Sequence, residues 1–354
     1  MKYMQITIGL SLRVLVNAEA LNMAEAVGNY TRHRKAPVVV STGTGYSVVY
    51  VPAVSGESIA HHYQLILAQI AKSRNLPVTS ADLEGYFIKF ADEKSIKTLY
   101  PELEELNNKL DGLNPDGLES AFLKASVVAD VGGFLYLGEK SKIIKRTSAI
   151  RFSYMLPTLD AIEQGGVALI PQLHTRYAPP ELMKDYQMPF YVESGSALYT
   201  LTAELIATDI AKQYYSKQID NELSKQKIER VKAAIDALIA LTDGLMLGAK
   251  RSRYNPLWKV KSAVVTLSRG PVEFVPSSGI SRTYIAETYN RALQLTHIIE
   301  DEAVNIFVYN DENLEEPEIK NEHKRVTYEK AATHTEALAK ARDKAVKILE
   351  ALPK

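Results

Sequence analysis

Cysteine is absent from all 354 residues. That excludes thiol catalysis, thiolate-held zinc, iron–sulfur clusters and a disulfide-built fold. It also fits a reducing compartment, and a cytoplasmic protein is expected. Net charge is missing too, since 42 Lys and Arg balance 42 Asp and Glu. The overall basic excess that marks many nucleic-acid binders is therefore lacking. No run approaches the roughly 18 consecutive apolar residues of a membrane span, so no membrane partner is expected. The first twenty residues imitate a signal peptide, with Ala18-Glu19-Ala20 at the end. Arg13 and strict alternation contradict that reading. Ile6, Ile8, Leu10, Leu12, Val14 and Val16 alternate with Thr7, Gly9, Ser11 and Arg13, which predicts a strand with one dry face and one polar face.

Recognised catalytic motifs are also lacking. Thr42-Gly43-Thr44-Gly45 has no following Gly-Lys-Ser/Thr, and Val48 stands where a dinucleotide fingerprint needs its third glycine. There is no metalloprotease helix and no nucleophile elbow. His61 and His62 are adjacent, so they point about 100° apart on a helix and cannot share a metal. His62 borders the apolar face and reads as a structural histidine. Neither a catalytic set, a metal site nor a cofactor emerges.

What is there is a skewed distribution of charge. No acidic residue falls between Glu25 and Glu57, a stretch that holds Arg32, His33, Arg34 and Lys35. Between Glu139 and Asp160 the only charges are Lys140, Lys142, Lys145, Arg146 and Arg151. Between Asp243 and Glu273 they are Lys250, Arg251, Arg253, Lys259, Lys261 and Arg269. These segments form one basic surface or three solvated loops. Their composition favours nucleic acid. Gly248–Tyr254 combines glycine, Lys250, Arg251, Ser252, Arg253 and an aromatic, and Lys145-Arg146-Thr147-Ser148 repeats the mix of charge and hydroxyl. Cations neutralise phosphate, hydroxyls and backbone N–H groups bond it, and tyrosine stacks on a base. Single-stranded RNA suits that set best. His33 and His174 sit beside arginines. Each allows three readings: an acid or base in RNA cleavage, a contact to phosphate or base, or a loop histidine without a role.

Along the chain, a strand near 4–17 precedes a hairpin of Val38–Val40 and Tyr46–Val51. Ser55 then caps a helix carrying Ile59, Tyr63, Ile66, Leu67 and Ile70. Residues 80–125 read as an acidic helical insertion. Val127–Leu137 reads as strand. Arg151–Pro157 and Ala168–Tyr177 read as the two arms of one hairpin. A long strand at Phe190–Leu205, a helix at Lys225–Leu245, strands at Val260–Leu267 and Val304–Tyr309 with a helix between, and a terminal helix at Tyr328–Leu349 complete the order. The class is α+β, and a ferredoxin-like antiparallel sheet is the economical solution.

Several ordered segments resemble one family. They are Asn17–Asn22, Gly28–Pro37, Val54–Glu57 with His61, Tyr63 and Gln64, Asp130–Phe134, Arg146–Ser148 and Gly248–Arg253. Over roughly residues 5 to 270 the chain resembles the DevR-type CRISPR-associated backbone subunit, the Cas-seven family in its archaeal type I-A form. The resemblance implies an RNA-recognition-motif-like palm built from 1–79, about 126–150 and 186–354. It implies the 80–125 insertion and a thumb-like hairpin at 151–178. It implies non-catalytic copies lining up along CRISPR guide RNA as the backbone of an antiviral surveillance complex. Its partners would be guide RNA, further copies of itself, other effector-complex subunits, and target DNA by way of the guide. Combined with the basic segments, it marks Asn29, Arg32, His33, Arg34, Ser55, Lys145, Arg146, Ser148, Arg151, His174, Arg176, Lys250, Arg251, Ser252 and Arg253 as RNA-binding. The competing readings are a metal-independent endoribonuclease using His33 or His174, and a scaffolding protein that binds only other subunits.

Overall fold

A computed structural model describes residues 4–138, 142–175, 177–183, 189–216, 220–248, 250–319 and 323–352. The opening alternation forms β1 (Gln5–Glu19). Next come β2 (Met23–Val27), β3 (Tyr30–His33), and the β4 (Lys35–Ser41) and β5 (Tyr46–Pro52) hairpin. Then follow β6 (Phe134–Leu137), β7 (Ile143–Arg146), β8 (Ile150–Phe152), β9 (Leu156–Pro157) and β10 (Ala168–His174). The chain continues with β11 (Phe190–Ile206), β12 (Leu257–Gly270), β13 (Ala303–Asn310) and β14 (Val326–Lys330). The main sheet runs β14-β13-β12-β1-β11-β3-β2. β1 is antiparallel to both β11 and β12. The β13–β14 and β11–β3 pairs are parallel, so the expected antiparallel sheet is in fact mixed.

Ile6 through Val16 on the apolar side of β1 pack with the helices Gly56–Ser73, Asn221–Asp243 and His334–Glu350 in one core. Ser55 caps the first of these, its hydroxyl accepting from the Ser58 N–H at 3.2 Å. The Tyr63 hydroxyl donates to the Ala234 carbonyl at 2.8 Å and ties two of the helices together.

The other side of β1 is not a wet face. Thr7, Ser11 and Arg13 are buried. A Cβ on Gly9 would lie 2.4 Å from Pro276, so glycine there lets the covering chain approach. Gly279 donates its N–H to Ser11 Oγ, and its carbonyl accepts from Arg13. Asp160 at 2.7 Å and Glu312 at 3.0 Å balance the Arg13 charge. Polar alternation therefore marks a second covered face, on which Ser11 and Arg13 are satisfied by protein groups while the buried Thr7 hydroxyl meets no partner among the described residues.

Three further expectations are corrected. Val127–Gly132 is a helix capped by Ser126, and only Phe134–Leu137 is strand. The terminal helix starts at His334 behind the Thr333 cap, because Val326–Lys330 pairs with β13. Among the described residues the arms 151–157 and 168–177 do not pair with each other. β8, β9 and β10 all lie against β11, since the helix Leu159–Glu163, capped by Thr158, redirects the chain between them.

Residues 80–125 contain the helices Ser80–Glu84, Glu93–Leu99, Glu104–Asn107 and Pro115–Ala125. Their core holds Phe90 stacked on Phe122, with centroids 4.6 Å apart, and includes Phe134, Tyr136 and Ile144 of the β6–β7 pair. Among the described residues no helix is long and apolar enough to cross a membrane.

Candidate nucleic-acid interface

The β10–β11 register sets His174 opposite Phe190. The rings stack at 5.3 Å with 27° between planes. Tyr254 meets the same imidazole edge-on, and its hydroxyl is hydrogen-bonded to His174 Nε2. Tyr254 ends the basic loop, which turns because the Lys250 carbonyl accepts from both Arg253 N–H and Tyr254 N–H. His174, Phe190, Val192, Lys250, Ser252, Arg253 and Tyr254 together line a cleft of about 200 Å³. Sequence positions eighty apart thus share one wall. Burial and the nearby Arg253 charge lower the Lys250 pKa, and burial raises that of Tyr254. Among the described residues no carboxylate pairs with Lys250, Arg251 or Arg253. The Arg251 guanidinium is held by Asn255 Oδ1 at 3.1 and 3.2 Å, so it stiffens the loop. Cation, hydroxyl and stacked rings in one concavity can hold a phosphate beside a base.

The other basic segments are differently employed. Arg32 pairs with Glu25 at 3.0 Å, half exposed, and lies over Tyr30. Arg34 donates to Asn22 Oδ1 at 2.9 Å, and the same oxygen accepts the Ser55 N–H. Asn29, in the exposed β2–β3 turn, donates to the Pro189 carbonyl. Ser55 is buried as a helix cap. Lys145 is exposed on β7, with its backbone N–H on the Tyr215 hydroxyl. Ser148 donates to the Ile150 carbonyl at 2.6 Å. Arg151 is bracketed by Glu204 at 3.2 Å and Glu273 at 2.7 Å. Arg176 lies outside the described residues.

Two expectations are corrected outright. His33 is not a loop histidine facing RNA but a buried one. Its Nδ1 meets the Arg34 carbonyl at 2.8 Å and its Nε2 meets Glu19 at 2.9 Å. With both ring nitrogens held by protein groups, its side chain faces the interior rather than a surface loop. Arg146 is also buried, ion-paired to Asp130 and bonded to the carbonyls of Asp130, Lys212 and Asp209. Arg230 shares Asp130 at 2.8 Å. Charge in the sequence therefore served the interior at both places.

Phe190 and Val192 were missed as parts of the cleft. Phe190 and Val192 carried only a strand signal, and nothing in the spacing joined them to residue 250. Among the described residues no group of three His, Asp or Glu is placed to hold a metal ion.

Residues 10–289 match the family described as "CRISPR-associated negative auto-regulator DevR/Csa2", and the chain belongs to that family. It is 38% identical over 308 residues to the Saccharolobus solfataricus protein "CRISPR-associated aCascade subunit Cas7/Csa2 2", covering 86% of this chain and 92% of the relative. A second protein of that organism, "CRISPR-associated protein Cas7/Csa2 1", is 37% identical over 78% of this chain and 84% of its own. A chain from a solved "CRISPR RNA-guided surveillance complex, pre-nicking" aligns over 96% of this chain and 100% of itself. Its TM-score is 0.50 at 12% identity, a likeness of fold alone.

Proposed function

We propose that this protein is a non-catalytic backbone subunit that binds CRISPR guide RNA and assembles along it. The supporting observation is the cleft where His174, Phe190 and Tyr254 meet Lys250, Ser252 and Arg253. The family and the printed names of its relatives agree with it. On this reading β12-β1-β11 with its helices is an RNA-recognition-motif-like palm, and the segment within 151–178, laid along β11 by β8, β9 and β10, is the thumb. RNA is met by loops, because the polar side of β1 is covered. The partners are single-stranded guide RNA, further copies, other effector subunits and, through the guide, target DNA. Net neutrality suits copies that pack head to tail, since a uniformly basic subunit would repel itself.

Binding to single-stranded RNA across a salt series tests the reading. With about five phosphates neutralised, log affinity falls with log salt by roughly 3 to 4. Affinity indifferent to salt overturns it. An end-labelled RNA cut at neutral pH, with cutting abolished by His174→Ala, would replace it with the endoribonuclease reading.

A further inference from the structure

Outside the cleft, one side chain of the helix Gly56–Ser73 reaches the basic loop. His62 Nδ1 lies 2.7 Å from the Ser58 carbonyl, an acceptor, so Nδ1 carries the proton. Its Nε2 lies 3.2 Å from the Gly248 backbone N–H, a donor, so Nε2 must offer its lone pair. Both contacts are met together only by the neutral Nδ1–H tautomer. The contact falls at the root of the loop. Leu247 is buried before it, and Lys250 to Tyr254 turn after it. Gly248 has φ +104°, and a Cβ there would lie 2.6 Å from Leu21 Cδ2. The loop thus leaves the core at a position only glycine accommodates, against Leu21, with its N–H turned onto the histidine.

We propose that His62 is a positioning residue for the RNA-binding loop: its neutral imidazole latches the Gly248 amide and so sets where Lys250, Ser252 and Arg253 stand against His174. The far end of the loop is held separately, by Tyr254 on His174 and by Arg251 on Asn255. Two anchors about one short basic turn pre-organise it and lower the ordering cost of binding. Without the first anchor the glycine leaves the loop's entry free to swing. The proposal rests on the RNA-binding reading of the cleft, and it makes the helix Gly56–Ser73 part of the site through a residue that touches no nucleotide.

The test uses the full chain, with His62→Leu, which keeps bulk but has no acceptor, and His62→Gln, which offers an amide oxygen. Amide hydrogen exchange of 244–256 is followed without RNA, and single-stranded RNA affinity is measured in parallel. Lys250→Ala/Arg253→Ala serves as the control for the site itself. In His62→Leu, exchange at Gly248 rises by about tenfold and RNA affinity falls several-fold, while His62→Gln recovers much of both. Unchanged loop exchange in His62→Leu overturns the latch. So does faster exchange with unchanged affinity, provided the control has lost affinity. A control that binds like the parent instead removes the cleft from the RNA site, and the exchange result alone then judges the latch. Nitrogen NMR of the parent decides the point without any variant: a protonated Nε2 on His62 overturns the proposal.

Discussion

His33 Nε2 stands 2.9 Å from a Glu19 carboxylate oxygen, and both side chains are sealed from solvent. The same carboxylate accepts from the Tyr199 hydroxyl at 2.8 Å and the Leu21 N–H at 2.7 Å. A Cβ on Gly195 would sit 2.4 Å from it, so the neighbouring strand leaves it room. The pair locks β3 to the end of β1. Burial acts against the charge on His33, but the Glu19 hydrogen bond and charge outweigh it and raise its pKa. Burial likewise opposes the Glu19 charge, and the His33 contacts prevail and lower its pKa.

The sign of the resulting pH dependence follows. His33 contributes its full stabilisation below the unfolded histidine range, about 6.5, and loses it as pH rises through the raised folded value. Glu19 contributes above the ordinary carboxylate range and loses its share only as pH falls through a lower value. Thermal melts from pH 5 to 9 should show the parent's advantage over His33→Gln shrinking with rising pH. A constant difference across that range would contradict the charged pair.

Arg146 and Asp130 make the second prediction. Arg146→Ala leaves the buried Asp130 carboxylate to Arg230 and the Ala211 N–H, and takes from buried Glu119 the cation 3.5 Å away. Breaking such a pair costs about 3–5 kcal/mol. Urea titration should show that loss, while folded Arg146→Ala binds RNA as the parent does. A stable variant with weakened RNA binding would return Arg146 to the interface.

Lys250 and Arg253 should behave in the opposite way. Replacing both by Ala removes two cations that have no described carboxylate partner, so folding is spared. Single-strand affinity should fall, and the slope of log affinity against log salt should shrink by about 1.4. Unchanged affinity and slope would place the phosphate contacts elsewhere.

His174 stacks on Phe190 and bonds Tyr254, so its removal opens a gap in the aromatic wall between them. His174→Ala should weaken RNA binding by about 1–3 kcal/mol, the size of one lost base–aromatic stack, with no cleavage product from the parent or the variant. Titrations with end-labelled RNA read both quantities at once.

Much of this protein was legible along the chain. Period two made Ile6 to Val16 a strand, and 3.6-residue spacing behind a Ser cap made Ile59 to Ile70 a helix. These signals are local, since they depend on which face of one element is dry. The ordered motifs from Asn17 to Arg253 also carried the family, and the basic loop at 250 stood out by composition. What lay beyond reach was pairing and burial. Val127–Gly132 reads as strand by apolar content, yet Ser126 caps it as helix. Arg13, His33, Arg146 and Arg251 look alike as cations in a string of letters. Only the tertiary structure sends the first three inside, to Asp160, Glu19 and Asp130, and leaves the last half-buried on the loop, held by Asn255. A charge is buried where folding supplies its counter-charge from a distant segment, and one sequence window does not contain that partner. The meeting of His174 with residues 250–254 was decided in the same way, by the register of β10 on β11.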